Sequence, residues 1–139
     1  MDSIPTGAFT LIATLVGVLG AFAVQRFVAF RAASAKFRTA VIGELGALYP
    51  HVGQWPSDID AFLRRAFPNL QVAVAEFSES LPKRRRAEFL AAWHAFHCDT
   101  GRAVDSQVYH HYMPFHSNSN PQATFQANVA RLLAFARET

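Results

Sequence analysis

Residues 3–25, SIPTGAFTLIATLVGVLGAFAVQ, followed by residues 26–48, RFVAFRAASAKFRTAVIGELGAL, decide how this chain is read. The first stretch holds 23 residues without a charged side chain. About 20 apolar residues rising 1.5 Å each cross a hydrocarbon core of about 30 Å, so Phe9 to Val24 with its flanks predicts a transmembrane helix. The second stretch opens on Arg26, and Arg31, Lys36 and Arg38 follow. No basic residue precedes the span, so the positive-inside rule orients it. The N-terminus is expected outside, and the body on the cytoplasmic side of an inner membrane.

Ala21-Phe22-Ala23 has the small-x-small look of a cleavage site. A signal peptide, however, wants a basic n-region, and Asp2 is the sole charge before the apolar core. Beyond the span lie all 13 Lys and Arg residues against 9 of the 10 acidic ones, a net charge of +4 with histidine neutral. A body of this size can bury one modest core. Its single cysteine, Cys98, rules out an intrachain disulfide and suits a reducing compartment.

The fold class expected is all-α: an N-terminal transmembrane helix (1–26), a helical stalk (27–50) and a small cytoplasmic helical bundle (51–139). Phe30, Phe37, Val41, Leu45 and Leu48 keep helical spacing past the membrane, with no proline before Pro50. Residues 51–56 read as a turn, and Ser57 is the expected N-cap of a short helix bearing Asp58 and Asp60 in its first turn. Ile59, Phe62, Leu63 and Phe67 form its apolar side, with Pro68 expected to kink it or to start the next helix. Leu70, Val74, Phe77 and Leu81 step by four, three and four along that successor. A further helix follows Ser80-Leu81-Pro82, with proline in its first turn and Phe89, Trp93 and Phe96 inward, and Gly101 follows its last periodic residue. After a looser stretch from Thr100 to Asn120, Asn120-Pro121 opens a C-terminal helix with Phe125, Val129, Leu132, Leu133 and Ala136 inward. Phe37, Phe77, Trp93 and Phe135 are the expected core.

Three features are candidates for function. Ala13, Gly17 and Ala21 recur every four residues, a spacing that lets two helices approach closely in lipid. Lys83, Arg84, Arg85 and Arg86 gather at an expected helix start, where they oppose the helix dipole. They read either as a solvated face or as a site for an anionic partner. Anionic lipid fits such a cluster near a membrane, and nucleic acid is not expected because no base-reading motif accompanies it. His94 and His97 lie one helical turn apart, with His110, His111 and His116 further on, which makes a metal-dependent hydrolase the weaker alternative.

No phosphate loop, GxSxG elbow, HExxH or CxxC is present. Arg86 to His94 and Arg102 to His110 each leave seven residues between them, one too many for the Arg–His pairing of HEPN ribonucleases. No intramembrane charge is available for an ion relay. Neither catalysis nor a cofactor is expected.

The pattern Ala66-Phe67-Pro68, Ala73-Val74, Glu76-Phe77, Leu81-Pro82, Arg85-Arg86, Phe89 and Ala92-Trp93, with Leu132 to Ala136, resembles small uncharacterised bacterial single-span membrane proteins with a helical cytoplasmic domain. The resemblance touches about half of the body and implies architecture and a bacterial membrane, not an activity. In outline alone, the chain is also similar to the pore-forming membrane accessory protein of some RNA-targeting CRISPR systems. The expected function is a membrane-anchored adaptor or scaffold whose partners are the bilayer and either a protein or its own copies. A homo-oligomeric pore or defence accessory protein is the alternative.

Overall fold

The computed structural model describes residues 6–98, 106–114 and 120–137, with side chains from Leu11 onward. The apolar run and the periodic stretch after it form one unbroken helix, α1 (Thr6–Leu45). Among its described side chains the N-terminal half is exposed throughout, Leu11, Leu15, Leu19 and Phe22 included, and Val28 beyond it is exposed as well. This is a helix long and apolar enough to cross a membrane, with a mean hydropathy of 1.9 over its most apolar 18 residues. From Phe30 onward the same helix changes role. Phe37, Val41, Leu45 and then Leu48 are buried, so the stretch expected as a stalk is the first helix of the bundle.

The other helices are α2 (Ile59–Glu79), α3 (Lys83–His97) and α4 (Pro121–Ala134), and no strand occurs among the described residues. Side-chain pairs fix their directions. Lys36 meets Glu76 and Glu44 meets Asn69, so α1 and α2 are antiparallel. Phe77 packs on Phe89 and Phe67 on Trp93, which sets α3 antiparallel to α2. Phe89 meets Phe135 and Phe96 meets Phe125, which sets α4 antiparallel to α3. The result is an up-down-up-down four-helix bundle on the C-terminal half of α1, with aromatic rings as its main filling.

Several local expectations change. Pro68 neither ends α2 nor starts a new helix, because Leu63, Ala66, Leu70, Ala73, Val74 and Phe77 continue one buried stripe across it. The proline lies on the exposed side, where water can serve the Arg64 carbonyl that its missing N–H leaves without a helical donor. The α2 cap is Asp58 rather than Ser57, its carboxylate accepting from Ala61 N at 2.9 Å. Pro82 sits at the N-cap of α3, not in its first turn, and no side chain caps that start. Asn120 caps α4 with Pro121 in the first turn, as the sequence predicts. Phe37, Phe77 and Trp93 are core, whereas Phe135 is half-buried on its edge. Gly101 lies outside the described residues.

The stretch expected to be loose contains an ordered strap. Residues 110–112 form a 3₁₀ turn, and Tyr109 and Tyr112 beside it are among the most deeply buried side chains. Tyr112 Oη donates to the Phe96 carbonyl at 2.8 Å and accepts from Asn128 Nδ2 at 2.9 Å, joining α3 to α4. Arg64 ties the strap to α2 by donating to the Gln107 carbonyl and lying over the Tyr109 ring.

Candidate functional site

Ala13, Gly17 and Ala21 fall on the exposed N-terminal half of α1, on one face of an unbroken helix. A side chain added at Gly17 or Gly20 would meet nothing within 4 Å. No contact within the chain therefore requires glycine there, although glycine costs a helix interior about 1 kcal/mol relative to alanine. Gly20, one turn from Gly17, widens the small-residue face beyond the three positions read from the sequence.

The basic cluster is divided by its surroundings. Arg86 is drawn in: its Nη2 donates to the carbonyls of Glu79 and Leu81 at 3.3 and 3.4 Å, bracing the end of α2 and the turn into α3. Its Nη1 lies 3.6 Å from Glu79. Arg85 rests over the Phe135 ring, 5.7 Å from its centroid. Arg84 reaches Glu88 at 3.4 Å, yet its side chain stays 93% exposed. An exposed pair of that kind contributes little, so the cation remains open to solvent. Lys83 is exposed as well. The cluster expected as four equivalent cations is thus two outward ones and two that also hold the bundle together.

His94 and His97 are brought close, with ring centroids 5.6 Å apart. His97 is not a surface histidine. It is buried between Phe67 and Trp93, with Nδ1 2.7 Å from the Trp93 carbonyl, and so serves the core. Among the described residues no group of three His, Cys, Asp or Glu side chains is placed to hold a metal ion. His111 packs on Tyr112 at the strap, while His116 lies outside the described residues. Cys98 is buried at the end of α3.

Sequence reasoning missed a groove of about 430 Å³ between α1 and α2. Small side chains, Ala33, Ala40 and Ala73, leave the space, and the Lys36–Glu76 ion pair at 2.6 Å stands beside it. The alanines sit seven apart on α1 and face one on α2, a spacing visible in the sequence once the pairing of the two helices is known.

Comparison with known proteins finds no matching family model, curated protein or solved structure.

Proposed function

We propose that this protein is a single-span, membrane-anchored helical module that works by binding protein, its own copies included, and not by catalysis. The observation that carries the reading is the contrast within α1. Among the described residues, one half of the helix leaves its large apolar side chains exposed, and the other half packs into the core of a bundle. An apolar rod attached to a folded domain is stable where lipid covers it. The basic residues that follow the apolar half favour an N-out, C-in orientation in a bacterial inner membrane, with the bundle in the cytoplasm. Gly17 and Gly20, which serve no contact within the chain, support close helix–helix approach between copies.

The test is the mass of the full-length protein in mild detergent, by light scattering corrected for bound detergent. A discrete oligomer that falls toward the monomer in Gly17→Leu is expected. A monomer in the parent protein would sink self-association and leave an adaptor awaiting a different protein. An oligomer indifferent to Gly17→Leu would move the contact off this face.

A further inference from the structure

The bundle is electrically lopsided, and its topology says which way it points. Antiparallel packing carries the α2–α3 turn back toward the apolar half of α1: Phe77, near the end of α2, meets Phe30 of α1, and Phe89 and Phe135 complete the same layer. The turn and the start of α3 therefore lie level with the first residues after the apolar run, about one to two helical turns, or roughly 5–10 Å, beyond Gln25. Arg26, Arg31, Lys83, Arg84, Arg85 and Arg86 gather at this end, against Glu79 and Glu88. The opposite end carries Glu44, Asp58 and Asp60 against Arg64 and Arg65.

Each polar headgroup layer is about 5–8 Å deep outside the hydrocarbon core, so with the apolar half of α1 in a bilayer the long Lys83 and Arg84 side chains reach into that layer. There, a surface potential from anionic lipid acts within about one Debye length, roughly 8 Å, which the near end of the bundle occupies and the far end does not. The first-turn amides of α3 face the same way and carry no side-chain cap, so nothing at that helix start already neutralises them.

We propose that this end of the bundle, led by Lys83 and Arg84 with Arg26 and Arg85 beside them, is a docking surface for the anionic phospholipid headgroups of the leaflet from which the chain emerges. The inference rests on the reading of α1 as a membrane anchor and adds to it a lipid preference and a fixed attitude of the bundle. Lipid is favoured over nucleic acid by position. The anchor holds headgroups permanently beside these cations, whereas a phosphodiester strand would have to enter between the bundle and a surface of its own charge sign.

The experiment places the full-length protein in nanodiscs of zwitterionic lipid, or of the same lipid doped with an anionic phospholipid. The readout is the rate at which an uncharged polyethylene-glycol maleimide labels a cysteine at Ala87→Cys, on α3 beside the cluster, or at Gly53→Cys, at the far end. The parent protein, whose Cys98 is buried, supplies the background. Labelling at position 87 is expected to slow several-fold in anionic discs while position 53 stays constant. Lys83→Gln with Arg84→Gln should restore the faster rate, each cation being worth roughly fivefold in the docking equilibrium. Equal rates at position 87 in the two lipids, or lipid dependence that survives the double substitution, would overturn the proposal. A single-stranded oligonucleotide that protects position 87 in zwitterionic discs, through the same two side chains, would reassign the surface to nucleic acid. Protein that never co-elutes with discs would overturn the anchor reading itself, whereas co-elution without lipid-dependent protection would overturn this inference alone.

Discussion

Tyr112 shows how much a single buried polar group organises here. Its hydroxyl spans two helices, donating to the Phe96 carbonyl and accepting from Asn128. Tyr112→Phe leaves Asn128 Nδ2 without this acceptor and the Phe96 carbonyl with only the 3.3 Å contact to His111 Nε2, so a loss of about 1–2 kcal/mol is expected in urea or thermal melts followed by circular dichroism. The same residue sets an alkaline limit. Burial pushes the Tyr112 and Tyr109 phenols well above the ordinary 10.0. A raised phenol pKa means that the unfolded chain loses its proton first as pH climbs. The stability these groups supply is therefore complete below about pH 10 and drains away above it. Melts across that range, with tyrosinate absorbance as the probe, should show a falling Tm, and Tyr112→Phe should make the fall shallower. Little of this was legible beforehand. Tyr109-His110-His111-Tyr112 is too short for a 3.6-residue period to declare itself, so its histidines drew attention as metal ligands while its tyrosines passed as loop. His97 conceals its role for a related reason: a histidine on a helix looks the same in sequence whether its ring meets solvent or, as here, a backbone carbonyl.

At the scale of elements, α2 carries two instructive departures. Ser57 and Asp58 are both good capping residues, and the expectation from sequence falls on Ser57. The hydrogen bond from Ala61 N places the cap on Asp58 instead. Asp58→Ala should accordingly destabilise the bundle by about 1 kcal/mol while Ser57→Ala leaves the melting curve in place. Pro68 is expected from sequence to kink the helix or to start the next one, since proline inside a helix removes one hydrogen bond and crowds the preceding turn. The continuous buried stripe from Leu63 to Phe77 outweighs that penalty, and an exposed site softens it. Pro68→Ala restores the missing N–H, so a net gain on the order of 1 kcal/mol and a higher Tm are expected once the extra freedom of the unfolded chain is subtracted. By contrast the start of α4 is legible to the residue, because Asn-Pro at a helix start is a local signal that needs no tertiary knowledge.

For the molecule as a whole, helical periodicity and the uncharged run made the all-α class and the apolar N-terminal helix readable. Pairing between helices was not. The α1–α2 groove and the gathering of cations at one end both depend on which residues of distant segments lie level, and a periodic stripe says only which face is inward. The proposed N-out, C-in topology predicts that a tag after Thr139 resists protease added to intact cells and is cut once the membrane is opened; cleavage in intact cells would reverse the orientation. One further property follows from α1 being a single helix with no break between its exposed half and the bundle. On the proposed reading, with the exposed half in lipid, it is a lever with the bilayer as its fulcrum. From Gln25 to Leu45 is about 30 Å at 1.5 Å per residue, so a tilt of about 20°, the average for membrane helices, swings the far end sideways by roughly 10 Å. Thickening or thinning of the membrane would thus be written out as lateral travel at the tip of the bundle, with no moving part other than the shaft itself.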